Sequence, residues 1–321
     1  MTAKKVFRES DLDTSLLDNK QIGVIGYGSQ GRAQALNLRD SGFSPLVGVR
    51  QGRSFEKALA DGVSPLGVEE VAGRCDIVMV LAPDEVQAGL CNAEIFPHLS
   101  EGAFLGFATG FNVHFGLVSV PGKIKVFLTA PKGPGHILRK RFEEGGGIPA
   151  LVASLNEDRD GLLVAMAYAK AIGCARSGVI QSTFREEAIA DLFGEQCVLS
   201  GGLVELMKAA FDVLVARGYS PEVAYIECIS EVEYMATLIA RVGFAGLRAN
   251  ISSTAYFGGL TRGRRIIDND ARRKLDGILD EIEEGRFTEE FRQYILSGKQ
   301  GLPPEMNLST LERARSNLKV S

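Results

Sequence analysis

The stretch QIGVIGYGSQG (Gln21–Gly31) decides the fold of the first half of this 321-residue chain. Its first six residues are an apolar run typical of a buried strand, and GYGSQG (Gly26–Gly31) is a GxGxxG motif. A helical pattern follows over Gly31–Ser41. This order predicts a dinucleotide-binding unit: the first glycine permits a tight turn, the second lets a pyrophosphate approach the backbone, and the third lets helix and strand pack closely. A plain strand-to-helix turn is the alternative.

Outward from this unit, short apolar runs alternate with helical patterns. The further predicted strands are Leu46–Arg50, Ile77–Ala82, Phe104–Ala108, Lys125–Ala130 and Ala150–Ala153. This alternation predicts a parallel sheet with helices on both faces. Beyond it only helices are predicted, over Glu186–Gln196, Gly202–Arg217, Glu222–Ala240, Asp270–Glu284 and Thr288–Leu296. We therefore expect an α/β Rossmann domain at residues 1–182 and an all-α domain at residues 183–321.

Composition and charge narrow the class of protein. The chain is 45% hydrophobic and 24% charged, which is typical of a globular protein, and its net charge of −4 does not favour a nucleic-acid partner. The five cysteines are scattered without a CxxC spacing, which is not typical of a disulfide framework. No apolar run is long enough for a membrane span, and the amino terminus lacks a secretory signal. We expect a cytoplasmic protein with a small-molecule substrate and no membrane partner.

The residues after the second strand indicate which nicotinamide cofactor binds. An NAD site usually has an acidic residue there to hold the ribose 2′-hydroxyl. This chain has Arg50, Arg53 and Ser54 instead, with no acid between them. Two guanidinium groups and a hydroxyl suit a 2′-phosphate, so the sequence favours NADPH. Two arginines on a solvated loop are the alternative.

Two pairs of acidic residues lie in the helical half. Asp191 and Glu195 form one pair, Glu227 and Glu231 form the other, and Glu187 precedes the first pair by one turn. Residues four apart share a helix face, and carboxylates in apolar surroundings repel unless a cation lies between them. An all-oxygen ligand set favours Mg²⁺ or Mn²⁺, and four carboxylates could hold two ions. Acidic, solvated faces of two helices are the alternative.

Five motifs occur in the following order along the chain. They are GYGSQG (Gly26–Gly31), GFNVHFG (Gly110–Gly116), APKGPGH (Ala130–His136), DLFGEQ (Asp191–Gln196) and YIEC (Tyr225–Cys228). Together they resemble ketol-acid reductoisomerase (acetohydroxyacid isomeroreductase) of the short bacterial class. The similarity runs from about Thr14 to about Asp268, and the third and fourth motifs are not general features of Rossmann enzymes.

The resemblance implies an enzyme that depends on NADPH and two Mg²⁺ ions. It implies conversion of a 2-aceto-2-hydroxy acid, such as 2-acetolactate, to a 2,3-dihydroxy acid by an alkyl shift and a hydride reduction. This is a step of branched-chain amino acid biosynthesis. It further implies a knotted helical domain and a homodimer, or a higher homo-oligomer, whose active site uses both chains.

The same resemblance assigns roles to individual residues. The implied metal ligands are Asp191, Glu195, Glu227 and Glu231. The implied catalytic residues are Lys132, Glu187 and Glu231, with Thr109 at a fourth catalytic position, and Ser252 is the implied substrate-binding residue. The implied cofactor contacts are Tyr27, Gly28, Ser29, Gln30, Arg50, Ser54 and Gly133. The glycine motif and the residues after the second strand add Gly26, Gly31 and Arg53 to the expected contacts.

The chain departs from the family pattern at four positions around the expected site. Thr109 replaces the histidine that is usually treated as catalytic, and Tyr256 replaces a glutamate. Ser230 and Arg32 each replace a histidine. Threonine does not titrate near neutral pH, so a proton-transfer role of that histidine is lost.

These departures leave other functions open. One is a paralogue that reduces a different 2-keto acid or an imine without the alkyl shift. Another is a binding or regulatory protein that has lost catalysis, but the retained Lys132 and the four carboxylates weigh against it. The family histidines that remain, His114 and His136, are expected to be structural.

Overall fold

The computed structural model describes residues 4–298 and 307–318. The chain forms two compact units, one ending at Ala190 and the other beginning at Asp191. That division falls inside a helix, Phe184–Gly194, whereas the sequence places it between residues 182 and 183. The first turns of this helix bury Phe184 and Glu187 within the first unit, which explains the later division.

The first unit is built on one eight-stranded sheet. Its strands are β1 (Val6–Phe7), β2 (Ile22–Ile25), β3 (Leu46–Gly48), β4 (Ile77–Val80), β5 (Phe104–Phe107), β6 (Lys125–Pro131), β7 (Ala150–Ser154) and β8 (Val179–Gln181). Their order across the sheet is β1-β8-β7-β6-β5-β4-β2-β3. The chain leaves β2 toward β3 on one side and returns to β4 on the other, so the order reverses between β2 and β4. Ligands of open α/β sheets bind beside such a reversal, outside the carboxyl ends of the strands.

The expectation of a purely parallel sheet is wrong. Strands β3, β2, β4, β5 and β6 are parallel, but β7 pairs with β6 in the antiparallel direction, as β1 does with β8. The helix after β6 packs against the helix after β2, and the chain re-enters the sheet at Ala150, opposite Pro131 at the end of β6. Strand β7 therefore runs back along β6. An apolar run predicts a strand but not its direction.

Seven helices and several short turns connect these strands. The helices are α1 (Ser29–Asp40), α2 (Arg53–Ala60), α3 (Val68–Arg74), α4 (Asp84–Leu90), α5 (Phe111–His114), α6 (Gly135–Glu143) and α7 (Arg159–Ala171). They cover both faces of the sheet, so consecutive strand residues enter two separate cores. Met79 belongs to one core and Val80 to the other, and both are fully buried. This burial on both faces explains why the strands are continuous apolar runs.

The second unit is helical throughout its described residues. Its helices are α8 (Phe184–Gly194, which begins in the first unit), α9 (Gly202–Ala216), α10 (Pro221–Tyr225), α11 (Glu231–Asn250), α12 (Ser253–Ile266), α13 (Asn269–Glu283), α14 (Arg286–Leu296) and α15 (Ser309–Asn317). The expected α/β Rossmann-like domain followed by a helical domain is confirmed. The sequence reading missed α12 and α15, and it did not foresee the π-helical turns at Glu195–Leu199 and Ile226–Ser230.

The second unit has a small core and a large exposed apolar surface. Its buried cluster comprises Phe211, Ala224, Tyr225 and Ala314. Helix α11 buries none of its residues, and Phe244 on it is 78% exposed. Within the described ranges, no helix combines the length and the apolar character needed to cross a membrane.

Candidate active site

The glycine loop between β2 and α1 has the geometry that its sequence predicts. Gly26 has a φ of 100°, and a Cβ on it would lie 2.6 Å from the Leu81 carbonyl oxygen. A Cβ on Gly31 would lie 2.1 Å from the Gly26 carbonyl oxygen, so helix α1 packs directly against the turn. No heavy atom lies within 4 Å of a Cβ built on Gly28. The loop therefore packs tightly against the protein at Gly26 and Gly31. At Gly28, next to the amino terminus of α1, it leaves space for a ligand.

A crevice of about 550 Å³ lies beside this loop. Its lining includes Gly28 from the glycine loop, Arg53 from the start of α2, and Leu81 and Pro83 from the end of β4. It lies where the strand order reverses, and helix α1 begins at its edge. Open backbone N–H groups at a helix amino terminus are the usual partners of a pyrophosphate, so the residues present fit a dinucleotide.

A second cavity of about 430 Å³ adjoins the glycine loop and is rich in positive charge. The side chains that line it include those of Arg32, Arg53, Ser54, Lys57, His136 and Arg139. No carboxylate is among its lining residues, all of which belong to the described part of the chain. Such a cavity suits a phosphate group.

Arg32 is held in place by a carboxylate from α2's carboxyl end. Its Nε and Nη2 donate to the two oxygens of Asp61 at 2.6 and 2.8 Å, and the Tyr27 hydroxyl donates to the same carboxylate at 3.2 Å. These bonds, led by the one from Arg32, hold the pKa of Asp61 below its ordinary value. Burial and the nearby Asp61 raise the pKa of Tyr27 to about 12. The arginine that replaces a family histidine is thus part of a fixed, charged network.

Arg50 does not lie in a purely basic environment. Its guanidinium forms an ion pair with Glu94, which lies in a π-helical turn (Cys91–Ile95) directly after α4. The sequence predicts no acid at the end of β3, and none lies there among the residues adjacent in the chain. The fold nevertheless brings a carboxylate there from 44 residues away.

One buried carboxylate joins the turn after β5, the turn after β6 and helix α8. Lys132, which follows β6, donates from Nζ to Glu187 Oε1 at 2.5 Å. Gly110, which follows β5, donates its backbone N–H to Glu187 Oε2 at 2.5 Å. Glu187 is completely buried, whereas the Lys132 side chain is 28% exposed. The buried carboxylate therefore holds a lysine ammonium group at the carboxyl edge of the sheet.

Thr109 and Gly133 lie on the same edge. Thr109 precedes Gly110, and its hydroxyl accepts the Phe111 N–H at 3.3 Å. The Gly133 carbonyl accepts a bond from Gln30 Nε2 at 2.8 Å, which ties the turn after β6 to the glycine loop. Lys132, Thr109 and the predicted cofactor loop are thus all placed at the carboxyl ends of parallel strands.

The predicted metal ligands lie at two junctions between an α-helix and a π-helical turn. Asp191 lies in α8, Glu195 begins the first π-helical turn, Glu227 lies in the second, and Glu231 begins α11. Over residues 4–298 and 307–318, no three or more Asp, Glu, His or Cys side chains come together as a metal site. The structure therefore does not bring the four carboxylates together within one chain.

The chemistry of each carboxylate pair fits a hard divalent cation. Cys197 and Cys228 are close in sequence to the two pairs, and burial raises the pKa of both thiols. Thiols are soft donors, which a hard cation such as Mg²⁺ does not select. The remaining donors are carboxylate oxygens, which Mg²⁺ prefers.

Ser252 has a structural role in addition to its predicted one. Its hydroxyl caps α12 by accepting the Ala255 N–H at 3.1 Å, and it lies 3.0 Å from the Thr254 hydroxyl. Tyr256, in the first turn of α12, lies beside the Arg248 guanidinium at 6.0 Å from its ring centroid. The side chain that replaces a family glutamate is thus near a cation.

Two family models match this chain and together span most of it. The "Acetohydroxy acid isomeroreductase, NADPH-binding domain" matches residues 16–178, and the "Ketol-acid reductoisomerase, C-terminal domain" matches residues 184–320. The chain belongs to the ketol-acid reductoisomerase family. It is accordingly an oxidoreductase of the ketol-acid reductoisomerase type with an NAD(P)H-binding domain.

Solved structures of similar proteins agree with this family. An NADH-preferring ketol-acid reductoisomerase from an uncultured archean is 37% identical, with a TM-score of 0.89 over 99% of this chain and 95% of that one. A semialdehyde dehydrogenase NAD-binding protein from Cupriavidus necator is 20% identical, with a TM-score of 0.62 over 83% of this chain and 98% of its own. Pyrroline carboxylate reductase from Plasmodium falciparum is 15% identical, with a TM-score of 0.55 over 83% and 98%. The last two share the fold alone.

Sequence reasoning missed three features of this reductoisomerase-type site. Asp61 and Glu94 are distant in sequence from the arginines that they bind, and no local motif marks them. His136, expected to be structural, is exposed and lines the basic cavity. Its position at the end of the APKGPGH motif, in the first turn of α6, was the available signal.

Proposed function

We propose that this chain is a ketol-acid reductoisomerase that converts a 2-aceto-2-hydroxy acid, such as 2-acetolactate, to a 2,3-dihydroxy acid. The observation that carries this proposal is the Lys132–Glu187 pair at the same sheet edge as the open glycine loop. A hydride donor in the crevice and an ammonium group at this edge are what the reduction of a carbonyl requires.

NADPH is the proposed cofactor, although the similar archaeal enzyme prefers NADH. What supports NADPH is the basic cavity, where Arg53, Lys57 and the Ser54 hydroxyl lie beside the glycine loop. A 2′-phosphate there would receive charge-assisted hydrogen bonds, which are about twice as strong as neutral ones. NADH carries a neutral 2′-hydroxyl in place of this phosphate and would gain less from these donors.

Two Mg²⁺ ions are proposed to bind Asp191, Glu195, Glu227 and Glu231. Bound Mg²⁺ supplies Lewis acidity toward the oxygens of the substrate. The chain's own contribution near the reacting carbonyl is Lys132: its Nζ carries a proton that can pass to the developing alkoxide, while Glu187 fixes its position. Because Glu187 is buried and accepts two bonds, it acts on the reaction through Lys132. We propose that Ser252 contacts the substrate.

The proposed assembly is a homodimer with a knotted helical domain, in which each active site uses carboxylates from both chains. Its support is the exposed apolar surface of the helical unit. Val213, Tyr234, Phe244 and Phe257 are each at least 60% exposed in the single chain. Helix α11, which carries Tyr234 and Phe244, buries none of its residues in the single chain, and a second chain would cover them.

A specific observation favours a second candidate, a reductase without the alkyl shift. The hydroxyl at Thr109 accepts a backbone N–H and has no titration near neutral pH, so it does not replace an imidazole in removing a proton from a tertiary alcohol. Reduction alone has no such requirement if Lys132 supplies the proton.

The deciding experiment compares two substrates in the presence of Mg²⁺ and NADPH. One is 2-acetolactate, and the other is 3-hydroxy-3-methyl-2-oxobutanoate, the keto acid that has already rearranged. Efficient turnover of both, with the dihydroxy acid as product, supports the reductoisomerase. Turnover of the second alone supports the reductase. Turnover of neither, with NADPH and Mg²⁺ still bound, contradicts the reductoisomerase and points to a different substrate.

A further inference from the structure

Arg50 lies at the border between two cavities of opposite character. It lines the crevice of about 550 Å³ that we assign to the cofactor, together with Arg53 and Ser54. It also lines an outer cavity of about 660 Å³ whose carboxylates are Glu69, Glu70 and Glu94. The long, flexible side chain of this arginine can therefore serve either side.

In this structure the Arg50 guanidinium pairs with Glu94, on the side of the outer cavity. The Glu94 side chain is 23% exposed, whereas that of Arg50 is 66% exposed. Glu94, in the turn after α4, is thus the more buried partner, and the Arg50 guanidinium is the more exposed one. This pairing neutralises Arg50 and places a negative charge beside the end of β3.

We infer that Glu94 is a positioning residue that limits the preference of this chain for NADPH over NADH. A 2′-phosphate bound by Arg53 and Ser54 must compete with the Glu94 carboxylate for the Arg50 guanidinium. NADH carries no charge at the 2′ position and is indifferent to this competition. The inference rests on the proposed cofactor site.

Removing the charge of Glu94 should therefore act on one cofactor only. In Glu94→Gln, the dissociation constant for NADPH should fall roughly two- to fivefold, the range expected for an exposed ion pair, while that for NADH stays unchanged. In an Arg50→Ala background, the same substitution should have little effect on NADPH, because the group that Glu94 holds is gone.

Titration of cofactor fluorescence with both nucleotides measures these constants. The matched control is Glu70→Gln, which removes a carboxylate of the same outer cavity that pairs with Arg74 instead. An equal gain in Glu94→Gln and Glu70→Gln would reveal a general charge effect and overturn the inference, as would an unchanged NADPH to NADH ratio. If the unaltered chain binds neither nucleotide, the proposed function itself fails, and the inference with it.

Discussion

Lys132 Nζ lies 2.5 Å from Glu187 Oε1, and the carboxylate that receives it is wholly buried. The other oxygen of this carboxylate accepts the Gly110 N–H. A buried carboxylate without partners lowers the free energy of unfolding, so the charge of Glu187 depends on its bonds to Lys132 and Gly110. The pair thus links the turn after β5, the turn after β6 and helix α8 through one side chain.

Glu187→Gln should reduce both turnover and stability. Glutamine can accept the Gly110 N–H, but its amide group then meets the Lys132 ammonium and repels it. We expect turnover to fall by about 10²-fold and the free energy of unfolding to fall by about 1–3 kcal/mol. Urea denaturation and steady-state kinetics measure the two effects. Glu186→Gln is the control, since Glu186 is exposed and pairs with Lys4; an equal loss in both variants would contradict this role of Glu187.

Arg53→Ala should weaken NADPH binding selectively. Arg53 lines both the crevice and the basic cavity, so its loss removes a charge-assisted bond to a 2′-phosphate. The dissociation constant for NADPH should rise about tenfold, with little change for NADH. Isothermal titration of both nucleotides tests this. Arg74→Ala, at an exposed position of α3, should change neither; equal weakening of both nucleotides by Arg53→Ala would place this arginine elsewhere on the cofactor.

Mixed assemblies should reveal a shared metal site. Glu195→Gln and Glu231→Gln should each abolish turnover and Mg²⁺-dependent thermal protection while NADPH binding persists. Suppose that each site takes one pair of carboxylates from each of two chains. In a co-refolded equal mixture of the two inactive variants, half of the dimers are then mixed, and each mixed dimer has one intact site of two. The mixture should therefore regain about a quarter of the normal activity. No recovery, in assemblies shown to exchange chains, would place all four ligands in one chain. Glu233→Gln, an exposed change on α11, serves as the control.

Protonation of Asp61 in acid should remove the stabilisation that its ion pair with Arg32 gives the first unit. Because the pKa of Asp61 is lowered in the folded state, the unfolded chain binds its proton first as the pH falls. The stabilisation is therefore complete well above the ordinary value of 3.8 and is lost as the pH falls through the folded pKa. Compared with Asp61→Asn, the unaltered chain should be more stable by about 1–2 kcal/mol at pH 7, and the gap should close below about pH 4.

Urea unfolding at several pH values measures that gap. Asp160→Asn, which breaks the exposed pair with Lys125, should change stability much less. A gap between the unaltered chain and Asp61→Asn that stays constant from pH 7 to pH 3 would contradict the linkage to Asp61.

Sequence by itself determined the local features of this protein. The run QIGVIGYGSQG specified a buried strand, a tight turn and a helix, and a Cβ on Gly31 would collide with the carbonyl oxygen of the nearby Gly26. The motifs around Lys132 and Asp191 were sufficient for the family. Each of these conclusions depends on residues that are close in the chain, where spacing alone fixes which atoms meet.

Only the tertiary structure decided which distant groups meet. The chain re-enters the sheet at Ala150 opposite Pro131, so β7 runs antiparallel to β6, and an apolar run is equally consistent with either direction. Glu187 with Lys132, Asp61 with Arg32, and Glu94 with Arg50 are pairs separated by 55, 29 and 44 residues. The electrostatic environment of a site is the sum over charges that the fold collects, and Coulomb interactions depend on distance in space rather than on distance along the chain.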